Sequence, residues 1–197
     1  MKKIILASRN KHKIEELRAT LKPLGIELKS TYDFPDLEEV VEDRETLEGN
    51  ALKKAQYVYE ETGLPALSDD TGLEVDALNG RPGVYSARYA GEEATDQENV
   101  DKLLDELSDV PLERRGAQFR TVAAFVTNNG PNTFEGICRG TIITKERGTK
   151  GFGYDPVFVP ASYKKTFSEL DADEKNRISH RGKAIQKVVN FLQKQTC

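Results

Sequence analysis

KKIILASRNKHKIEELRATLKPLGIELKS, residues Lys2 to Ser30, has the pattern of a strand, a helix and a second strand. The apolar run in KKIILAS is continuous, as in a strand that is buried on both faces. Apolar residues then recur at helical spacing from Asn10 to Leu24, and Gly25 is suited to end that helix. With IELKS as the second strand, the segment predicts a β-α-β unit.

The rest of the chain adds helices and a long antiparallel pair of strands. A helical pattern runs from Thr46 to Thr62, and another begins at Thr95 or Asp96. AQFRTVAAFVT and TFEGICRGTII are β-rich and are separated by NNGPN, which predicts a hairpin before a final helix capped by Ser179. The sequence therefore predicts an α/β fold with a mixed sheet and flanking helices, in a single domain over residues 1–197.

The composition is that of a folded protein with a slight excess of acids. Of the 197 residues, 37% are hydrophobic and 31% charged, with a formal net charge of −4, which argues against general binding of nucleic acid. The two cysteines, Cys138 and Cys197, form no paired spacing, which argues against a disulfide framework and a structural zinc site. The apolar run near the N-terminus is too short for a signal peptide or a membrane span. We expect a cytoplasmic protein without a membrane partner.

ASRNKHK, residues 7–13, lies where the first strand gives way to the helix. Backbone N–H groups at a helix start favour anions, and Lys11 and Lys13 add positive charge. Ser8 and Asn10 supply donors for phosphate oxygens. The segment predicts a phosphate site, with a plain helix cap and solvated lysines as the alternative.

SDDTG, residues 68–72, places two carboxylates in a predicted polar turn between two short strands. Mg²⁺ prefers carboxylate oxygens and shares its shell with phosphates, while a second carboxylate can orient or deprotonate water. The alternative is a turn in which Asp69 or Asp70 bonds only to the local backbone. In the acidic loop before the second helix, Glu39 and Glu42 are candidate metal ligands, with solvated acids as the alternative.

GFGYDP, residues 151–156, combines glycines that permit close backbone approach with aromatic rings. Phe152 or Tyr154 offers a stacking face for a base, and Asp155 could accept a hydrogen bond from a purine N–H. The alternative is a tight turn with its rings in the core. EKNRISHRGKA, residues 174–184, sets further cations and a histidine around a capped helix start, which can bind carbonyl or phosphate oxygens.

Together these segments resemble the inosine triphosphate pyrophosphatases over nearly the whole chain. The resemblance rests on SRNKHK, SDDTGLEVDAL, GRPGVYSARYAG, GFGYDP and ISHRGKA in that order. It implies an elongated α/β fold with two lobes around a central cleft, a requirement for Mg²⁺, and a homodimer. It also implies cleavage of non-canonical purine triphosphates (ITP, dITP and XTP) at the α–β phosphate bond, which gives the monophosphate and pyrophosphate.

The resemblance also implies a set of site residues. Asp70 corresponds to a metal ligand and proton acceptor, Asp69 lies beside it, and Glu39 matches a second metal ligand. The substrate contacts that it implies are Ser8, Arg9, Asn10, Lys11, His12 and Lys13 for the phosphates, Thr71, and Phe152, Gly153, Tyr154, Asp155, Lys175, His180 and Arg181 for the base and ribose. The chain departs from the common pattern at Ser8 and Thr71, which keep a hydroxyl, and at Gly49, where an acid is common.

Two other functions fit parts of the pattern. A sensor that binds triphosphates without cutting them would gain little from acids placed beside phosphates. A kinase-like phosphotransferase would need a Walker lysine loop, which the sequence lacks, and would release a diphosphate.

Overall fold

The structure, a computed structural model, describes residues 3–194, without the side chains at positions 12, 16, 19 and 20. The predicted phosphate contact of His12 therefore lies outside the described residues. The opening β-α-β unit is confirmed, with β1 at Lys3–Leu6, α1 at Lys11–Leu21 and β2 at Glu27–Ser30, and β1 pairs with β2 in parallel. A 3-10 turn that contains a proline follows α1, so the α-helix ends before Leu24.

One mixed sheet runs through the chain. The strands after β2 are β3 at Ala66–Val75, β4 at Pro82–Gly83, β5 at Gly116–Thr127, β6 at Gly130–Ile142 and β7 at Phe158–Pro160. The strand order of the sheet is β2-β1-β3-β5-β6-β7, and β4 pairs with β3. β1 is parallel to β2 and β3, whereas the β3–β4 and β6–β7 pairs are antiparallel. The predicted α/β fold with a mixed sheet is confirmed.

The predicted polar turn at SDDTG is wrong, because β3 is a single strand of 10 residues that contains both aspartates. The strand pairs with β1 at its beginning and with β4 at its end, and β5 is its other neighbour in the sheet. A Cβ atom at Gly72 would lie 2.3 Å from the carbonyl oxygen of Gly83, so β4 can approach β3 only beside a glycine.

The helices follow the predicted patterns, with one addition. The helices after α1 are α2 at Leu47–Thr62, α3 at Asp96–Glu106, α4 at Ala172–Ile178 and α5 at His180–Lys194. Thr46 and Thr95 cap α2 and α3, and the hydroxyl of Ser179 accepts a hydrogen bond from the N–H of Gly182 at 3.0 Å. The short helix α4 was not predicted; Asp171 caps it.

The chain forms two compact units. Among the described residues, the first unit comprises 3–70, 121–135 and 184–194, and the second comprises 71–120 and 136–183. The first has a core around Leu6, Leu17, Phe125 and Val188. The second has a core around Leu73, Val100, Phe119, Phe158 and Phe167. Neither unit is a continuous segment, and the single domain over residues 1–197 stays a prediction. Within residues 3–194, every helix is too short or too polar to cross a membrane.

Candidate active site

The turn between β1 and α1 is a capped helix start. The side-chain oxygen of Asn10 accepts a hydrogen bond from the N–H of Lys13 at 3.2 Å, and the hydroxyl of Ser8 accepts one from the N–H of Asn10 at 3.1 Å. The Arg9 guanidinium lies 3.3 Å from a carboxylate oxygen of Glu39. The cap is thus confirmed. It leaves the cations of the segment, including the exposed Lys11, beside the N-terminus of α1.

A polar cavity of about 240 Å³ opens beside this turn, within the first unit. Its lining includes hydroxyl, amide, cationic and acidic side chains, among them Ser8, Asn10, Lys13, Glu42, Lys54 and Asp69. Cations and N–H donors suit phosphate oxygens, and carboxylates suit a metal ion. The cavity therefore combines the chemistry that a metal-bound phosphate chain needs.

The two aspartates of β3 are buried, and each has a lysine partner. Asp69 and Asp70 are only 3% and 8% exposed. The ammonium group of Lys13 lies 2.8 Å from Asp69 Oδ2, which joins the phosphate segment to β3. Because buried carboxylates are stable only when they are paired, these aspartates are costly groups that a purely structural strand would not need.

Asp70 is held by residues of α2. Asn50 Nδ2 donates to Asp70 Oδ2 at 3.2 Å, and Lys54 Nζ lies 3.7 Å from Asp70 Oδ1. Lys54 also forms an ion pair with Glu42 and donates to the backbone carbonyl of Asp69 at 2.9 Å. One buried cation thus lies between the acidic loop and β3.

The charges of this cluster shift the pKa values of its members. Burial raises the pKa of Asp70, and Glu42 adds to that effect, while Lys54 and Lys13 oppose it. Burial alone would lower the pKa of Lys54, but the charges of Asp70, Glu42 and Asp69 together raise it. The pKa of Asp70 thus rises mainly because the carboxylate is buried, whereas the pKa of Lys54 rises because its ammonium group faces several acids.

The carboxylates are of the kind that binds a hard divalent cation. Glu42 and Asp70 already share the cation of Lys54, so oxygen donors of both residues approach one positive charge. Within the described part of the chain, no three His, Cys, Asp or Glu side chains are grouped closely enough to form a complete ligand set. Glu39 is 77% exposed at its side chain and contacts Arg9, so its role as a metal ligand stays a prediction.

In the second unit, the GFGYDP loop is a tight turn organised by Asp155. The buried carboxylate of Asp155 accepts a hydrogen bond from the N–H of Phe152 at 2.9 Å and forms an ion pair with Lys175. Gly151 has a φ of +81°, and a Cβ there would lie 2.1 Å from Asp155 Oδ2. Tyr154 is buried and donates its hydroxyl to the carbonyl of Ser86 at 2.8 Å. Of the two candidate stacking rings, therefore, Phe152 is the one that is exposed, at 41%.

Cations surround that exposed ring. The Lys175 ammonium lies 5.1 Å from the ring centroid of Phe152, and the Arg181 guanidinium carbon lies 5.6 Å from it. His180, next to Arg181, is buried and stacks on Phe119 with ring centroids 4.6 Å apart. The structure thus brings three predicted base-site residues together, and His180 packs into the core behind them. A substrate contact by His180 stays a prediction.

Some residues of these two clusters were not predicted from the sequence. Asn50 and Lys54 are four residues apart on α2, next to its buried apolar stripe, and this spacing could have marked them. Asp96 at the start of α3 accepts a hydrogen bond from Gly153 at 2.7 Å, and no local pattern indicates this contact. Thr71, the remaining predicted contact, follows Asp70 in β3 and is partly buried.

Residues 4–191 match the model of the Ham1 family. The chain belongs to the Ham1 family. Relatives include a dITP/XTP pyrophosphatase of Desulforamulus reducens, 51% identical over 96% of this chain and 95% of that protein. Another dITP/XTP pyrophosphatase, from Geobacter sulfurreducens, is 51% identical over 98% of this chain and 97% of that protein.

Solved Ham1 structures have the same fold. A HAM1 protein from Coxiella burnetii superposes with a TM-score of 0.92 at 41% identity, covering 98% of this chain and 100% of that one. A nucleoside-triphosphatase / dITP/XTP pyrophosphatase from Mycobacterium abscessus gives a TM-score of 0.79 at 46% identity, covering 94% of this chain and 98% of that one. The resemblance drawn from the sequence motifs is confirmed.

Proposed function

We propose that this Ham1 protein hydrolyses ITP, dITP and XTP at the α–β phosphate bond and releases the nucleoside monophosphate and pyrophosphate. The observation that carries the proposal is the buried pair Asp69 and Asp70, held by Lys13 and Lys54 beside the polar cavity of the phosphate segment. The names of the relatives agree with it over nearly the full length of the chain. The enzyme would remove non-canonical purines from the nucleotide pool.

The phosphate chain is assigned to the first unit. The N-terminus of α1 and the cations Arg9, Lys11 and Lys13 offer donors and positive charge to phosphate oxygens. Ser8 and Asn10 hold the turn in shape, and His12 belongs to the same segment by sequence. Because these groups are held by the cap before any ligand arrives, binding costs little ordering of the backbone.

Mg²⁺ is the proposed cofactor, with Asp70 as the principal ligand and Glu39 or Glu42 as a second. When bound, the ion would neutralise charge on the phosphates and favour departure of pyrophosphate. The acidic-loop residue that pairs with Lys54 is Glu42, which favours Glu42 over Glu39 for this role. Lys13 and Lys54 balance the charge of the carboxylates while the site is without substrate.

The attacking water is assigned to the two aspartates. Asp69 is fixed by Lys13, and Asp70 by Asn50 and Lys54, so both carboxylates have defined positions within β3, and Asp69 lines the cavity. One of them orients or deprotonates the water, and a carboxylate that ligates the metal is a poor base for the same step. We therefore propose that the work is divided between Asp69 and Asp70: one of them would hold Mg²⁺, and the other orients or deprotonates the water.

The purine is assigned to the loop of the second unit. Phe152 supplies the stacking face, Gly153 and Tyr154 complete the turn, and Asp155 holds it closed. Lys175 and Arg181 offer donors to the carbonyl that hypoxanthine and xanthine carry where adenine carries an amine. An adenine amine would leave such a donor unpaired, at a cost of about 1–3 kcal/mol. Thr71 and His180 are proposed as further substrate contacts, His180 on the base or ribose side.

We extend the proposal to a homodimer in the cytoplasm that acts on small-molecule nucleotides, with no nucleic acid and no membrane as partners. These features come from the resemblance and the composition. Size-exclusion chromatography with light scattering tests the dimer, which should have twice the mass of the 22.0 kDa chain.

A panel of nucleoside triphosphates with Mg²⁺ tests the proposed function. The products of ITP, dITP, XTP, GTP and ATP would be separated by ion-exchange chromatography, and pyrophosphate would be measured directly. We expect monophosphate and pyrophosphate from the first three at far higher kcat/KM than from ATP. A diphosphate product would indicate the phosphotransferase alternative, and tight binding without products would indicate the sensor.

A further inference from the structure

A carboxylate from outside the GFGYDP loop holds the loop at its centre. Asp96 Oδ2, from the first residue of α3, accepts a hydrogen bond from the backbone N–H of Gly153 at 2.7 Å. The two residues are 57 positions apart in the chain, so this contact is a tertiary one. An ionised acceptor makes the hydrogen bond stronger than one between neutral groups.

This contact fixes the backbone on one side of Phe152. The N–H of Gly153 belongs to the peptide group that follows Phe152, and the N–H of Phe152 belongs to the peptide group that precedes it. Asp155 accepts from the preceding group at 2.9 Å, and Asp96 accepts from the following one at 2.7 Å. Two carboxylates thus hold both peptide groups that flank the exposed ring, and together they fix the backbone from which the ring projects.

Asp96 is itself firmly held. Thr95 and Glu98 form a capping box at the start of α3, and the buried Asn99 bonds to the backbone of Ala87 and Ala90. The neighbouring Gln97 donates to Glu146 Oε1 at 2.7 Å, in the segment that leads into the loop. The start of α3 therefore contacts the GFGYDP loop and the segment before it from a fixed position.

We infer that Asp96 is a positioning residue for purine recognition: it holds the peptide after Phe152 so that the ring is preorganised to stack on the base. The inference rests on the proposed function and adds to it a residue outside the five motifs. Stacking on the base acts equally before and during the reaction. Loss of preorganisation should therefore raise KM and leave kcat nearly unchanged.

A purely structural role makes a different prediction. An acid at the first turn of a helix stabilises that helix through its dipole, whatever the loop does. Removing Asp96 would then lower the melting temperature and leave KM for ITP unchanged. The split between KM and kcat separates the two roles.

The test compares Asp96→Ala with Asp96→Asn, which keeps a neutral acceptor, and with Asp105→Ala, which removes an exposed acid from the same helix. Steady-state kinetics with ITP and Mg²⁺ give KM and kcat, and amide hydrogen exchange reports on residues 151–155. For Asp96→Ala we expect KM to rise about 3- to 10-fold, as for loss of one hydrogen bond, with kcat within about twofold. Amide exchange in the loop should be faster in Asp96→Ala than in the unaltered protein. Asp96→Asn should have a KM and an exchange rate between those of Asp96→Ala and the unaltered protein. Asp105→Ala should have the same KM and exchange rate as the unaltered protein.

An unchanged KM in Asp96→Ala would overturn the inference, whether or not the melting temperature falls. A fall in kcat at constant KM would overturn it as well, because it would place the residue in the chemical step. Failure of the unaltered protein to cleave ITP would instead overturn the proposed function, and with it the role of the loop in binding a base.

Discussion

The ammonium group of Lys54 lies 3.7 Å from Asp70 Oδ1 and pairs at the same time with Glu42. It therefore joins α2, the acidic loop and β3. A lysine in this position keeps two carboxylates close together that would otherwise repel each other.

Replacing Lys54 should destabilise the protein by leaving buried acids without their cation. For Lys54→Met we expect the free energy of unfolding to fall by about 3 kcal/mol, as for a broken buried ion pair. Mg²⁺ should restore more stability to this variant than to the unaltered protein, since the ion supplies the missing charge. Urea unfolding with and without Mg²⁺ measures both effects.

Lys53→Met is the matched control, because Lys53 neighbours Lys54 on α2 and pairs with the exposed Asp43. An exposed pair contributes about 0–1 kcal/mol, so this variant should change little. Equal losses of stability in the two variants would contradict the bridging role of Lys54.

Asp70→Asn should stabilise the metal-free protein in a pH-dependent way. Burial raises the folded-state pKa of Asp70, so the ionised carboxylate opposes folding. The native protein therefore gains stability from this group below its unfolded pKa of about 3.9 and loses it as the pH rises through the folded value. In EDTA, the variant should melt higher than the native protein near neutral pH, and the difference should vanish at about pH 4. If the two melting temperatures differed by the same amount at neutral pH and at about pH 4, the raised pKa of Asp70 could not be the cause of the difference.

The parts of the fold that follow local patterns were predictable from the sequence. The family was also predictable, from the order of the five motifs. The opening β-α-β unit and the long hairpin rest on hydrophobic periodicity and turn residues, which are local signals. β3 was misread as a turn because two adjacent aspartates are rare within a buried strand. Their compensating partners, Lys13 and Lys54, lie far away in the sequence, so a local pattern could not reveal them. The hydrogen bond between Asp96 and Gly153 also joins residues that are far apart in the sequence, so no local pattern predicts it.

Gly151 should be needed for the shape of the GFGYDP loop. Its φ is +81°, and a Cβ there would collide with Asp155 Oδ2, which holds the N–H of Phe152. Gly151→Ala should therefore raise KM for ITP about 10-fold or more, since one displaced buried hydrogen bond costs about 1–3 kcal/mol. Steady-state kinetics provide the measurement.

Gly153→Ala is the control for backbone strain alone. Gly153 also has a positive φ, +59°, but the space around its Cβ position is open. The variant should lose about 1 kcal/mol of stability and show the smaller rise in KM. A larger rise in KM for Gly153→Ala than for Gly151→Ala would contradict the predicted collision between a Cβ at position 151 and Asp155 Oδ2.

Phe152→Ala should weaken binding of the base without harming the fold, because the ring is exposed. Loss of a stacking platform costs about 1–3 kcal/mol per base, so KM for ITP should rise about 5- to 100-fold. The melting temperature should stay within about 2 °C. Leu112→Ala, at another exposed apolar side chain of the same unit, should leave KM unchanged. Equal effects of the two substitutions would remove the stacking role.

The most direct test of the proposed pyrophosphatase is product analysis for ITP with Mg²⁺, run on the unaltered protein and on Asp70→Asn. We predict inosine monophosphate and pyrophosphate in equal amounts, and turnover by the variant lower by about 100-fold or more. Release of diphosphate and inorganic phosphate, or near-normal pyrophosphate release by Asp70→Asn, would contradict the proposed reaction and the place of Asp70 in it.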